Sequence, residues 1–148
     1  MRKPIYPPVY WLLSVAVMLS LHFLMPIRQV VQGRSRYLGV IPLLAGLAVV
    51  LWAAGIFRRA GTTIKPFEKS SALVVQGPYR FSRNPIYLGL VGGLLGIAIL
   101  AGSVTPFLVV PLFAYLVDRR FISAEEAQLR QTFGSEYDAF SARVRRWL

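Results

Sequence analysis

The side chains best suited to chemistry crowd into one stretch, Gly77-Pro78-Tyr79-Arg80-Phe81-Ser82-Arg83-Asn84-Pro85-Ile86-Tyr87-Leu88-Gly89. Gly77-Pro78 and Asn84-Pro85 each predict a tight turn, because proline restricts the residue before it. Between and just after those turns stand Tyr79, Arg80, Ser82, Arg83 and Tyr87, and an apolar run follows at once. Hydrogen-bonding groups gathered at such a boundary predict a site where a polar ligand meets an apolar one. A second candidate pair, Glu125 and Glu126, lies beyond the apolar run. Adjacent residues on a helix point about 100° apart, so the two carboxylates cannot share one task. Two readings stay open for them: acids at a helix start that complement its dipole, or a carboxylate at the mouth of a bundle that meets a cation or a ribose hydroxyl.

Several chemistries are excluded. The chain has no cysteine, which removes disulfides, thiolate metal sites and cysteine nucleophiles. Its single histidine, His22, lies in an apolar run, cannot build a multi-histidine metal cluster, and is expected to hydrogen-bond between helices. No residues suggest a Ser-His-Asp triad, and no metal is expected.

The elements that must position these residues are membrane helices. Of 148 residues, 55% are hydrophobic and only 16% charged, with mean hydropathy +0.54, an apolar share above that of soluble domains. The length allows a single domain over 1–148. A net charge of +11 could suggest nucleic acid. The basic residues instead flank apolar stretches, as cytoplasmic topology and anionic headgroups require, so no nucleic-acid partner is expected.

Four spans are expected, at about 9–25, 37–57, 86–100 and 104–117. The first follows Arg2-Lys3 as a secretory leader would, but its core of roughly 17 apolar residues is long for a leader and no small-x-small cleavage site follows; it is taken as retained. The second is long enough to cross a hydrocarbon layer of roughly 30 Å. The third and fourth are short and joined by the uncharged Ala101-Gly102-Ser103, which predicts a tight hairpin. Pro106 and Pro111 are expected to kink the fourth. Gly89, Gly92, Gly93 and Gly96 form two interleaved Gly-x-x-x-Gly pairs, expected to pack the third helix closely on a partner.

With four spans, Arg2, Lys3, Arg58, Arg59, Lys65, Lys69, Arg80, Arg83, Arg119, Arg120 and the tail arginines share one side, against Arg28, Arg34 and Arg36 on the other. The positive-inside rule then puts both termini and the Gly77 segment in the cytoplasm, in a bacterial-type inner or plasma membrane.

From 118 to 148 the pattern becomes that of soluble amphipathic helices. Ser123 with Glu126 has the form of a capping box that would start a helix. Leu129 and Phe133 continue one face, and Gly134 ends or bends the helix. A second helix, about 135–147, carries Tyr137, Phe140, Val144 and Trp147, with Arg143, Arg145 and Arg146 suited to the membrane surface. The expected fold is all-α, an integral membrane bundle of about four transmembrane helices, the last two a tight hairpin, plus C-terminal amphipathic cytoplasmic helices.

Taken together, Gly77-Pro78-Tyr79, Arg83-Asn84-Pro85-Ile86-Tyr87-Leu88-Gly89, a hydrophobic hairpin, Glu125-Glu126-Ala127-Gln128-Leu129 and Phe133-Gly134-Ser135-Glu136-Tyr137 resemble the isoprenylcysteine carboxyl methyltransferase and phospholipid methyltransferase superfamily. The match runs over about 61–148, and its order and spacing make the compound motif specific. The resemblance implies methyl transfer from S-adenosylmethionine, leaving S-adenosylhomocysteine, at a cytoplasm-facing pocket entered sideways by an apolar substrate. It implies that Gly77, Pro78, Tyr79, Asn84, Pro85, Tyr87, Leu88 and Gly89 line the cofactor site. Glu125 and Glu126 would contact the cofactor and Leu129 would pack on it. Arg83 and Glu126 would be the catalytic residues, Arg83 where cofactor and acceptor meet. Asn84 stands where many members have histidine, and asparagine does not titrate near neutral pH, which favours cofactor binding over proton transfer there.

Methyl transfer from a sulfonium asks the protein for alignment and desolvation. A carboxylate acceptor would need no base and would suit Arg83; an amine must lose a proton first, to Glu126 or water. The acceptor stays open between an isoprenylated cysteine, a phospholipid amine and other lipid-like molecules. Two alternatives compete: a non-catalytic membrane protein whose basic face binds anionic lipid or a partner, and a degenerate member that binds cofactor without turnover.

Overall fold

The computed structural model describes residues 6–61 and 71–148. Arg2, Lys3, Lys65 and Lys69, which entered the charge argument, lie outside the described residues. Among those described there is no strand, only an isolated bridge between Gln29 and Ser103. Six α-helices follow in order: α1 (Pro7–Leu24), α2 (Val40–Arg59), α3 (Pro85–Ala101), α4 (Val104–Val117), α5 (Ser123–Phe133) and α6 (Ser135–Arg143). Proline begins both α1 and α3, where its missing N–H has no intrahelical partner to lose.

Two stretches are long and apolar enough to cross a membrane: Pro7–Leu24, and Gly33–Arg59, which joins a 3₁₀ turn to α2. Only 11% of each apolar window is buried inside the protein, so leucines such as Leu12, Leu44 and Leu51 face outward. An apolar exterior of that kind is what a lipid surrounding asks for.

The tightest packing joins α2 to α3, and its glycine spacing differs from the expected one. Gly39 faces Gly96 and Gly46 faces Gly89, seven residues apart on each helix (39 to 46, 89 to 96), as antiparallel neighbours. A methyl group on Gly39, Gly89 or Gly96 would come within 2.5–2.6 Å of a carbonyl oxygen on the facing helix, and one on Gly46 would collide with the Gly89 carbonyl. Of the four-residue pairs, Gly92 and Gly96 both look toward α2, Gly92 with ordinary clearance, whereas Gly89 faces α2 and Gly93 lies beneath the Trp11 ring of α1. Trp11 Nε1 also donates to the Leu90 carbonyl, 3.0 Å, tying α1 to the same helix.

At one end of the bundle the α3–α4 turn and the α1–α2 connection share hydrogen bonds. Gly102, with φ +80°, caps α3 in the left-handed region, and its carbonyl accepts from Val30 N and Val31 N. His22 is the expected inter-helix hydrogen bonder, its Nδ1 lying 2.8 Å from Ser103 Oγ.

The fourth helix departs from its expected form twice. Pro106 falls in the first turn of α4, where no intrahelical N–H bond exists to break, so only Pro111 interrupts the ladder. Nor does the helix stop at 117. It passes through a single π-helical turn, Asp118–Ile122, with helical backbone at both joints, and continues as α5. The capping box therefore does not form: α5 has no free N-terminus, and Ser123 Oγ donates to the Asp118 carbonyl at 2.9 Å.

The last helix is shorter than expected. It ends at Arg143, and Val144 is extended (φ −120°, ψ 130°). Its apolar face packs inside the protein. Tyr137 and Phe140 are buried against Ala53 of α2, Val74 and Tyr79.

The α2–α3 contact predicts a sharp contrast between glycines. Gly46→Ala or Gly89→Ala should destabilise by about 1–3 kcal/mol through overpacking. Gly55→Ala, where a methyl meets nothing within 4 Å, should be neutral or gain up to about 1 kcal/mol from helix propensity. Thermal unfolding in detergent reads the difference.

Candidate functional site

The stretch before α3 is an elbow built by backbone geometry. Gly77, at φ +59°, begins a 3₁₀ turn through Arg80, and a Cβ there would strike Ile56 of α2. Pro78 and Tyr79 are buried in the turn, and the Tyr79 ring meets Phe57 edge-on at 5.4 Å. Ser82 Oγ accepts from Asn84 N at 3.1 Å, and α3 then starts at Pro85.

The chain's last residues cross this elbow. Arg83 N donates to the Arg145 carbonyl at 3.0 Å. The Arg146 carbonyl accepts from Asn84 Nδ2 at 3.1 Å and from Ser82 Oγ at 3.3 Å. Those bonds explain why α6 stops early: the carbonyls at 145 and 146 serve the elbow and not a helix. Asn84, buried at 8% exposure, has its amide committed to this strap.

Beyond the π turn α5 lies against the elbow, and the roughly 100° between successive helix residues separates the two glutamates. Tyr87 OH donates to Glu125 Oε1 at 2.6 Å. Glu126 takes a guanidinium from each side. Arg83 Nη2 lies 3.0 Å from its Oε1, and Arg146 Nη2 lies 2.6 Å from its Oε2. Arg146 also reaches Asp118 at 3.2 Å, and Trp147 Nε1 donates to the same carboxylate at 3.2 Å. Arg83 completes the join by donating from Nη1 to the Ser141 carbonyl, 3.3 Å.

The environments of the two acids differ accordingly. Burial pushes the Glu125 carboxyl up to about 7; the Tyr87 hydrogen bond pulls it down, and neighbouring Glu126 pushes it up. Among the described residues no cation pairs with Glu125, and its Oε2 has no hydrogen-bond partner. Burial, and then the Glu125 charge, raise the Tyr79 phenol well above its ordinary range, so it stays protonated.

Among the described residues two buried polar atoms near Glu126 have no partner: Arg83 Nε and the hydroxyl of Tyr137, a residue only 1% exposed. A guanidinium edge and a phenol of this kind can each meet an acceptor on a polar ligand. On the other side of the elbow a groove of about 640 Å³ runs between the end of α2 and residues 73–77. Leu51, Trp52, Ile56 and Val74 give it apolar walls, and Arg59 and Gln76 supply polar groups.

The residues marked in the sequence thus divide. Arg83, Asn84, Tyr87, Glu125 and Glu126 converge with Tyr79 beside them. Pro85 and Leu88 form the first turn of α3, where Leu88 N bonds the Asn84 carbonyl. Leu129 packs with Tyr79 and Tyr137. Gly77 lines the groove, and Gly89 faces α2. Arg146 and Asp118 were missed as partners of the site. Arg146 was read with its neighbours as a membrane-surface arginine, while Arg145 beside it is exposed. The signal available was the scarcity of acids, six against seventeen basic residues, which makes each carboxylate a magnet for a distant arginine only in the folded chain. Among the described residues no group of three or more His, Cys, Asp or Glu could hold a metal.

A family model described as phospholipid methyltransferase matches residues 35–136, more than half of the chain and spanning both the elbow and the glutamates. No protein of curated function and no solved structure matches.

Two measurements test this geometry. Glu126→Gln should destabilise by about 1.5–3 kcal/mol, the range for hydrogen bonds to charged groups, whereas Ser123→Ala should stay within about 0.5 kcal/mol, since no capping box is lost. The raised Glu125 carboxyl favours the folded state when protonated, so its stabilisation is present below 4.5 and lost as pH rises toward about 7. Glu125→Gln should therefore match the wild type in Tm near pH 4.5 and exceed it above pH 7.

Proposed function

The chain belongs to the phospholipid methyltransferase family, and from that membership we propose that it transfers a methyl group from S-adenosylmethionine to a lipid-borne acceptor at the membrane surface. The family by itself implies a membrane methyltransferase acting on lipids. The observation that carries the finer proposal is the convergence of elbow and acids, Tyr87 on Glu125 at 2.6 Å and Arg83 on Glu126 at 3.0 Å. Segments 38 and 43 residues apart (87 to 125, 83 to 126) meet on polar groups, beside unpartnered donors, at the end of an apolar bundle.

The bound donor supplies an activated methyl on sulfonium, leaving S-adenosylhomocysteine. The chain's own groups hold, orient and dry the reacting atoms. Tyr79, Asn84, Tyr87, Glu125, Glu126 and Leu129, with the turn residues Gly77, Pro78, Pro85, Leu88 and Gly89, form the donor's surroundings in this proposal. Arg83 stands between donor and acceptor. Its Nε is the free edge of a guanidinium otherwise engaged by Glu126 and the Ser141 carbonyl. The groove beside Gly77 suits the acyl part of the acceptor, with Arg59 at its polar end for a phosphodiester.

The proposal includes four crossings, by α1, α2, α3 and α4, with both termini and the elbow on the cytoplasmic face of a bacterial-type inner or plasma membrane. Support comes from the outward-facing leucines and from the arginines at 58, 59, 119 and 120, which cap the same ends of α2 and α4 as the elbow.

Calorimetric titration of detergent-purified protein with S-adenosylhomocysteine should give a saturable heat, and tritiated S-adenosylmethionine should label a lipid in membrane extracts. Arg83→Lys should lower transfer by roughly 10- to 100-fold with the fold intact, because an ammonium cannot reproduce the planar fork. Folded protein that gives no heat at millimolar ligand overturns the enzyme reading and leaves a non-catalytic lipid- or partner-binding protein. Binding without label identifies a member that has lost turnover.

A further inference from the structure

We propose that Glu125, and not Glu126, is the proton acceptor of the transfer, taking a proton from an ammonium-bearing lipid acceptor through its Oε2 oxygen. This rests on the methyltransferase assignment above and deepens it, since it gives one named side chain a task toward the amine of a phospholipid acceptor.

The two acids are adjacent, but the fold equips them oppositely. Glu126 is gripped by Arg83 at 3.0 Å and by Arg146 at 2.6 Å, with a second Arg146 nitrogen at 3.2 Å. Both oxygens of that carboxylate are engaged by guanidinium nitrogens, so neither is open to a substrate proton. Among the described residues Glu125 has a single hydrogen bond, from Tyr87, that engages Oε1 and leaves Oε2 open at a half-buried position. The groups that face it are Tyr87 from α3, Tyr79 from the elbow and Glu126 on its own helix. None of these is a cation. Tyr87 is itself fixed, its ring stacked on Phe121 at 6.4 Å and buried at 5% exposure, so the open oxygen is held in one place.

An acid with no cation beside it among the described residues attracts an ammonium group. The carboxyl, raised to about 7, is also matched to proton transfer near neutral pH. The balance is simple. The acceptor ammonium gives a proton to Glu125 Oε2, leaving a neutral amine and a neutral carboxyl. The nitrogen lone pair then forms the N–CH₃ bond as the S–CH₃ bond breaks. That bond's electron pair stays on sulfur, so sulfonium becomes thioether and the positive charge passes to the methylammonium product. Glu125 returns its proton to water before the next turnover.

The test is the pH profile of methyl transfer from tritiated S-adenosylmethionine to vesicles containing phosphatidylethanolamine, using the full chain. For the wild type, kcat/KM should fall as pH drops below about 7. Glu125→Gln, which keeps an acceptor for Tyr87, should lose transfer at least about 100-fold at saturating S-adenosylmethionine, along with that acid limb. Tyr87→Phe removes the bond that lowers the Glu125 carboxyl, so its limb should move to higher pH, which a purely structural role for Tyr87 would not produce. Glu126→Gln should turn over more slowly with the limb in place. The assignment is overturned if Glu125→Gln keeps the wild-type profile, if the limb disappears in Glu126→Gln instead, or if Tyr87→Phe leaves the limb unmoved. Wild type that binds S-adenosylhomocysteine and methylates only a carboxylate lipid overturns it while leaving the methyltransferase assignment standing; failure to bind at all removes both.

Discussion

Glu126 holds the polar end of this protein together because two guanidiniums from different parts of the chain converge on it. Arg83 comes from the elbow before α3, and Arg146 comes from the strap that follows α6. A carboxylate at 14% exposure beside an apolar bundle is costly without partners, so the pairing is obligatory once α5 lies where it does. From that constraint follow the early end of α6, the extended strap, and the use of its carbonyls by Ser82, Arg83 and Asn84. Asp118 belongs to the same network through Arg146 and Trp147. The network carries two acids and two arginines, so it adds no net charge to the bundle end.

The apolar part answers a different constraint. Helices in lipid gain little from burying leucine, since the surroundings are equally apolar, and close backbone approach must supply the attraction. The α2–α3 glycines provide it, and they fix the axial register of α3 against α2. Tyr87 sits about half a turn ahead of the Gly89 contact, so the register also sets the depth at which its hydroxyl meets Glu125. The π turn at Asp118–Ile122 does the complementary job from the other side. By inserting a wider turn into an unbroken helix it rotates α5 as a whole, and the roughly 100° between neighbouring acids then gives them different partners.

This separation gives the site its asymmetry. One acid is neutralised by fixed charge and stiffens the scaffold. Its neighbour is half-buried, singly bonded and near the middle of its titration at neutral pH. A fold that anchors the first strongly can leave the second underpaired without losing order, which is how strain of this type is tolerated at functional sites.

Much of this was legible in the residues themselves. Hydropathy and proline positions marked all four apolar helices to within a few residues of α1 to α4, because those signals act over one or two turns. The elbow showed in Gly77-Pro78 and Asn84-Pro85 for the same reason. The partners of the acids were not legible. Ser123 and Glu126 have the spacing of a capping box, yet the preceding helix never ends, so the local rule had no free N-terminus to act on. The pairs Gly89/Gly93 and Gly92/Gly96 predicted close packing, but which glycines meet another backbone depends on the crossing of α2, and the answer was a seven-residue spacing. Arg146 looked the same as Arg143 and Arg145 in sequence. Only the tertiary structure decided which of them found a carboxylate, because ion pairs between residues twenty or more positions apart are set by where the backbone carries them.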